Sequence, residues 1–331
     1  MTDPSVFIIA EIGSNHAQSL SVATESIEAA ARAGANAVKF QSIQLDELYH
    51  EPTEQTRELH RRIDLPEEWH QPLKDHCEQH NVTFVSSPTY LRAIDILEDV
   101  GVAAYKLASA QVAVFPQLVD RVARLGKPVY LSTGLVTFDE LDETVKIFRA
   151  ANNARFTILH CNSVYPAEPA IVHLRHMKTI ADRYGSAVGF SDHTASSTAA
   201  IAAVALGATA LEKHFTLSRS LDTPDAICSI EPGEFTAYVA AIRETEQILS
   251  PETDRMLEAS EADFRARIQH GLLTTTAIRA GDRITAGVNV ILKRCAPPES
   301  LTASEFWRLP TDLVATRAIP AGDWLRDSDV T

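Results

Sequence analysis

The sequence predicts a closed (β/α)₈ barrel followed by a small, mostly β domain, and three observations lead there. Short, nearly continuous apolar runs recur eight times between amphipathic stretches over residues 1–250. Runs apolar on both faces belong to parallel sheets covered by helices on each side. After Ser250 the pattern changes to short, turn-rich segments that carry an internal repeat.

The runs are Val6–Glu11, Ala37–Gln41, Thr83–Ser87, Ala104–Ser109, Pro128–Thr133, Phe156–Cys161, Ala187–Asp192 and Ala210–Phe215. Between them, Ser21–Ala33, Pro66–His80, Leu91–Val100, Phe115–Arg124, Phe138–Ala150 and the small-residue stretch Ser197–Gly207 have helical periodicity. Gly34, Gly101, Gly126 and Gly207 stand where helices stop. A last helix, Glu234–Leu249, follows the eighth run. Eight strand–helix units over about 250 residues suit a barrel. An open doubly wound sheet would carry a glycine-rich first turn, and Glu11-Ile12-Gly13-Ser14-Asn15-His16 is not one.

Pro251–Arg267 is highly charged and reads as an exposed connecting helix. Beyond it, Gly271–Ala277, Val288–Leu292 and Leu313–Ala318 are β-like, and Ala277-Ile278-Arg279-Ala280-Gly281-Asp282 is echoed by Ala318-Ile319-Pro320-Ala321-Gly322-Asp323. The expected division is a barrel over residues 1–250, a linker over 251–267 and a small domain over 268–331.

Composition narrows the function classes. With 331 residues, 45% of them hydrophobic, the chain can bury a large core. No apolar stretch approaches the ~20 residues of a membrane span, and Met1-Thr2-Asp3-Pro4 opens no leader-like pattern. A formal net charge of −14 disfavours a nucleic-acid partner. A small anion would still bind where cations are concentrated locally. Cys77, Cys161, Cys228 and Cys295 are widely spaced without a CxxC pair, which fits reduced thiols in a cytoplasm. None has an evident base, so a thiol nucleophile is not expected.

Chemistry in such barrels sits at the C-terminal strand ends. The polar residues expected there are Glu11, Asn15 and His16; Lys39 and Gln41; Ser86 and Ser87; Lys106, Ser109 and Gln111; Ser132 and Thr133; His160, Ser163 and Tyr165; Ser191, Asp192 and His193; and Glu212, Lys213 and His214. A lysine inside an apolar strand is costly unless it meets a carboxylate or an anionic ligand. Two such lysines, with serines at most tips, point to a phosphate or carboxylate ligand. His193 and His214 close consecutive strands whose axes would lie about 4.8 Å apart, so they can share a divalent metal. His16 and His160, each alone, read equally well as structural. The polar loop Thr216–Ala226 would lie over the barrel mouth.

Several phrases then carry a resemblance: Phe7-Ile8-Ile9-Ala10-Glu11-Ile12-Gly13-Ser14-Asn15-His16, Val38-Lys39-Phe40-Gln41, Tyr105-Lys106-Leu107-Ala108-Ser109, Leu131-Ser132-Thr133-Gly134, Leu159-His160-Cys161, Tyr165-Pro166, Ser191-Asp192-His193-Thr194 and Glu212-Lys213-His214-Phe215-Thr216. In this order they resemble the sialic acid synthase family, which makes N-acetylneuraminic, legionaminic and pseudaminic acids. The resemblance implies a TIM barrel with an antifreeze-protein-like (SAF) domain, and condensation of phosphoenolpyruvate with the open-chain aldehyde of an acylamino sugar. It implies manganese or magnesium on His193 and His214, and Glu11 as the carboxylate that handles water or a sugar hydroxyl. It implies phosphoenolpyruvate held by Lys39, Lys106, Ser109, Ser132, Ser163 and Ser191, with Ser87 and Tyr165 as further pocket residues. Asp225 would grip the sugar and Glu212 would support it. A domain-swapped homodimer would bring Arg294 to the other subunit's pocket.

Departures lie on the acceptor side. Gln111 stands where the family usually has an acid, Thr89-Tyr90 follows Ser86-Ser87-Pro88 in place of Phe-Asp, and Arg294-Cys295-Ala296-Pro297-Pro298 lacks the usual Pro-Gly-x-Gly. These suggest an acceptor other than N-acetylmannosamine. Two further readings fit the residues: a metal-dependent pyruvate aldolase on the same barrel, and a non-catalytic phosphoenolpyruvate-binding relative.

Overall fold

A computed structural model describes residues 5–250 and 257–331. The leader-free reading of residues 1–4, and the first part of the expected connecting helix at 251–256, lie outside the described residues. The chain divides into two compact units, residues 1–250 and 251–331.

In the first unit, β1 (Phe7–Glu11), β2 (Ala37–Ser42), β3 (Thr83–Pro88), β4 (Ala104–Leu107), β5 (Val129–Ser132), β6 (Phe156–Cys161), β7 (Ala187–Asp192) and β8 (Ala210–His214) close into a parallel barrel in sequence order. β8 pairs with both β7 and β1, so no edge is left open. The predicted helices are present within a few residues of their expected ends, among them Leu20–Arg32, His70–Gln79, Leu91–Asp99, Phe138–Ala150 and Pro232–Ile248. A capping box between Thr137 and Glu140 starts the fourth of these. Outward strand residues such as Ile8, Val38, Phe84, Tyr105 and Leu211 pack under the helices in one large core. Inside the barrel, Ile9, Ala37 and Val85 form a small apolar layer with Phe7 and Tyr130. That layer plugs the lower barrel, so the polar residues one step further along each strand face only the upper mouth.

The second unit has its own core around Leu272, Ile278, Ile284, Val290, Leu313, Ile319 and Leu325. β9 (His270–Thr274) pairs antiparallel with β10 (Val290–Arg294). The repeated phrases face each other: Ile278 and Ile319 exchange backbone hydrogen bonds of 2.9 and 2.8 Å, and Gly281 and Gly322 both take positive φ at the following turn. The run Leu313–Ala318 forms no strand. Val314 and Ala315 make only isolated bridges, to Arg283 and Val330. Its apolar alternation reflects burial of Leu313 and Ala315 rather than a ladder. From the charged 251–267 segment to the first residue of the expected small domain, Ala259–Ile268 is helical with no buried residue. Among the described residues, no helix is long and apolar enough to cross a membrane.

Candidate active site

At its C-terminal end the barrel opens into a cavity of about 500 Å³. Strand register decides which side chains reach it. Glu11 stands beside Lys39 on one neighbour and His214 on the other, Gln41 beside Ser87, and Ser191 beside both Cys161 and Glu212. Facing partners in a parallel ladder point to the same side, and all of these residues line the cavity.

The floor is ionic and fully buried. Lys39 Nζ lies 3.2 Å from Glu11 Oε1 and 3.0 Å from Glu212 Oε2, and Lys106 Nζ lies 3.4 Å from Glu212 Oε1. Ser191 donates to Glu212 at 2.7 Å, Gln41 donates to Glu11 at 2.7 Å and Lys106 donates to Ser132 at 2.7 Å. The two carboxylates therefore differ. Burial would push Glu212 up, but Lys106, Lys39 and Ser191 outweigh it and hold the group well below the usual carboxylate range. Burial pushes Glu11 up; Lys39 opposes this and the charge on Glu212 adds to it, leaving the group raised. Burial alone would lower Lys39, yet Glu11 and Glu212 raise it. Lys106 is lowered by burial, with Glu212 opposing. One firmly ionised acid thus sits between two cations, beside a second acid that keeps its proton more readily.

Hydroxyls ring this floor. Ser87, Ser109, Ser132, Ser163 and Ser191 all line the cavity. Ser109 Oγ accepts from the Gly134 backbone N–H at 2.9 Å. A methyl at Gly134 would lie 2.3 Å from Ser163 Oγ and 3.0 Å from Ser109 Oγ, so only glycine leaves this serine cradle open. Sequence reasoning assigned Gly134 no role; a glycine directly after the Ser132-Thr133 tip was the available signal. Among the buried atoms without a hydrogen-bond partner in the fold are Glu11 Oε2, Ser87 Oγ and His214 Nδ1, all on lining residues. Unpaired buried polar groups of this kind are expected where a ligand completes the site.

The histidine rings of residues 193 and 214 are 5.3 Å apart, and Tyr165 packs over both at 4.2 and 5.6 Å. His193 Nδ1 contacts the Asn162 carbonyl at 2.7 Å. A carbonyl only accepts, so Nδ1 carries the proton and Nε2 keeps its lone pair. Burial and the nearby His214 push His193 down to about 3, so the ring is neutral across the physiological range. A neutral imidazole oriented by a carbonyl behind it, next to a second imidazole with an unpartnered nitrogen, fits a divalent metal.

Not every predicted tip residue arrives here. Asp192 and Lys213 point away from the mouth and pair with each other. Asn15 is tied to Phe215, Ser229 and Thr223, Ser86 to Ser42 and Phe40, and His160 to the Val172 carbonyl. His16 is buried edge-on to Trp69. Asp225 does not line the cavity; its Oδ2 accepts from the Ser14 N–H and hydroxyl at 3.1 and 2.8 Å, and it lies within 4.8 Å of donor atoms of His214 and Cys228. In the loop after β8, Asp222 pairs with Arg62 and Arg219 with Glu234. Cys161, read from sequence as plain core, lines the cavity with its thiol pushed up by burial. Gln111 lines the wall on the short helix Ser109–Val112. Leu48, Tyr49, Leu59 and Ile63, from the excursion after β2, also line it. Arg294 is exposed at the end of β10 in the second unit. A larger, more open cleft of about 740 Å³ lies at the other end of the barrel beside Asn153, Arg155 and Tyr184; it gathers no carboxylate, imidazole or thiol.

A cationic, hydroxyl-lined site with paired acids, set at the C-terminal mouth of a (β/α)₈ barrel, defines a barrel enzyme. The chain belongs to the NeuB family, whose model matches residues 26–254. It is 34% identical over 343 aligned residues to the spore coat polysaccharide biosynthesis protein SpsE of Bacillus subtilis, covering 96% of this chain and 92% of that protein. It is 32% identical to the pseudaminic acid synthase of Campylobacter jejuni, covering 99% of this chain and 97% of the relative. Among solved structures, the N-acetylneuraminic acid synthetase of Leptospira borgpetersenii superposes with a TM-score of 0.73 at 31% identity, over 79% of this chain and 92% of that one.

Proposed function

We propose that this chain condenses phosphoenolpyruvate with the open-chain aldehyde of an acylamino sugar, giving a nonulosonate-type 2-keto-3-deoxy acid and inorganic phosphate. The observation that carries the reading is the floor of two buried lysines under a ring of five serines, beside two imidazoles. Relatives named for pseudaminic and N-acetylneuraminic acid synthesis support the product class.

Lys39 and Lys106 would take the phosphate and carboxylate of phosphoenolpyruvate, with Ser109, Ser132, Ser163 and Ser191 donating. The ammonium groups of Lys39 and Lys106 flank Glu212 at 3.0 and 3.4 Å, which concentrates cationic groups where an incoming anion would be received. The arrival of an anion also offsets the desolvation that lowers Lys106. Glu11 would pass a proton between a water or sugar hydroxyl and the reacting centre, a role suited to a carboxyl that burial makes hold its proton more readily. His193 and His214 would hold a manganese or magnesium ion, which as a Lewis acid polarises an aldehyde oxygen. Gln111 replaces an acid at the sugar end, so the acceptor differs from N-acetylmannosamine in the group it presents there. A domain-swapped homodimer, with Arg294 completing the partner's acceptor pocket, belongs to the same reading. The four free cysteines support a reducing, cytoplasmic setting.

The experiment is phosphate release from phosphoenolpyruvate with a panel of sugar aldehydes, with and without chelator. Release that needs both an aldehyde and a divalent metal supports the proposal. Turnover of pyruvate without phosphate would assign an aldolase instead. Turnover of N-acetylmannosamine as fast as any other aldehyde would remove the altered-acceptor part.

A further inference from the structure

Outside the barrel, far along the chain from the mouth histidines, three metal-ligating side chains converge on one point. Glu28 comes from the helix Leu20–Arg32, and His76 and His80 from the end of the helix His70–Gln79. The histidines are spaced i, i+4, which places them on one helical face. Their rings are 4.7 Å apart. Both aim Nε2 at the same oxygen: Glu28 Oε1 lies 3.2 Å from His76 Nε2 and 4.0 Å from His80 Nε2. One donor atom from each of the three lies within 4.8 Å of the others.

We propose that Glu28, His76 and His80 form a second, outer metal site for zinc or a similar borderline divalent cation, joining two neighbouring helices of the barrel wall. Four features support it. Two imidazoles and one carboxylate suit zinc, whereas magnesium and calcium favour sites built of oxygen. Glu28 is held in place by Arg32, whose Nη1 lies 3.3 Å from the other carboxylate oxygen, so Oε1 stays directed at the rings. His76 and His80 occupy the last turn and the C-cap of their helix, where exposed carbonyls favour positive charge. The three side chains are between 21% and 36% exposed, open enough for a metal to reach them and sheltered enough to be held. Three protein donors leave one tetrahedral position to water, so the site exchanges its metal. A cation here would clip the helix between β1 and β2 to the helix that leads into β3, and binding to the folded state alone would stabilise it. This proposal does not rest on the condensation reading.

The test is a Zn²⁺ titration of the full chain carrying His193→Ala and His214→Ala, so that the mouth histidines contribute nothing, followed by calorimetry and by thermal unfolding. One zinc per chain and a Tm that rises with zinc are expected. Adding His76→Ala with His80→Ala, or Glu28→Gln, should weaken binding by at least about tenfold and abolish the zinc-dependent rise. Magnesium should give no such rise. The same helix substitutions in the chain with its mouth histidines intact should lower the zinc stoichiometry by one, which gives a second readout should the mouth variants fold poorly. Zinc affinity and Tm response unchanged by the His76 and His80 substitutions would overturn the proposal, as would the absence of zinc binding.

Discussion

The ammonium of Lys213 and the carboxylate of Asp192 meet at 3.0 Å behind the cavity, each one residue before a histidine that faces into it. Lys213 also donates to the Thr194 carbonyl, and Asp192 accepts from the Thr194 N–H and hydroxyl at 2.8 and 2.7 Å. The turn carrying His193 is thus gripped from the neighbouring strand. Lys213→Met should destabilise the protein by about 3–5 kcal/mol, because Asp192 would stay buried without its cation. Adding Asp192→Asn should recover part of that loss. Urea denaturation of the three variants checks both.

Gly189 sits inside the barrel between β6 and β8. A methyl there would lie 2.3 Å from the Ala210 carbonyl oxygen and 2.6 Å from Leu159 Cδ2. Gly189→Ala should cost about 1–3 kcal/mol, since rigid backbone must move to admit it. The shift in denaturation midpoint measures this.

On the cavity floor, Lys106→Met should lower kcat/KM for phosphoenolpyruvate by roughly 10²-fold or more, the scale seen when one preorganised charge-stabilising donor is removed. Steady-state phosphate release reports it. A loss smaller than tenfold would take Lys106 out of the anion site.

Stability should fall with acid in a defined window. In the unfolded chain His193 takes up a proton near its ordinary value of 6.5, whereas in the fold it resists protonation down to about 3. Below 6.5 the unfolded state binds more protons, so the stability present above that pH is lost progressively toward pH 3. In metal-free protein, His193→Gln should show a smaller drop in denaturation midpoint between pH 7 and pH 4 than the parent.

Gln111→Glu should change which aldehyde is preferred while leaving the KM for phosphoenolpyruvate within about twofold, because loss of binding to one substrate's end alone leaves the other's contacts intact. Paired acceptor and phosphoenolpyruvate titrations separate the two. A large rise in the KM for phosphoenolpyruvate would place Gln111 with the anion instead.

The barrel was legible because its strands are apolar on both faces and its helices are not. The inward polar set was legible where one residue per tip stood out against apolar neighbours, as with Lys39 and Lys106. Listing polar tips without applying the period of two is what put Asp192 and Lys213 on the wrong side; Glu212 and His214 leave Lys213 no choice but to face out. The cavity wall over residues 43–65 was not legible. Leu48, Tyr49, Leu59 and Ile63 meet the site through tertiary placement, with only the two short helices Leu45–Leu48 and Glu54–Ile63 to carry them. Asp225 was named from the resemblance as a sugar contact, but its hold on Ser14 was not legible: that partner lies over 200 positions away, and no local pattern announces it.

The cavity has its lysines at the floor and exposed Leu135 and Tyr49 at the lip. A cavity whose cations lie buried beneath an exposed lip would impose a queue on the proposed reaction. Whichever reactant must touch the bottom has to descend before a bulkier companion caps the way, and whatever is released at the bottom waits for that companion to leave. Under the proposed reaction, the order of arrival and departure would follow depth, and a surplus of the larger reactant would slow its own consumption by sealing empty wells.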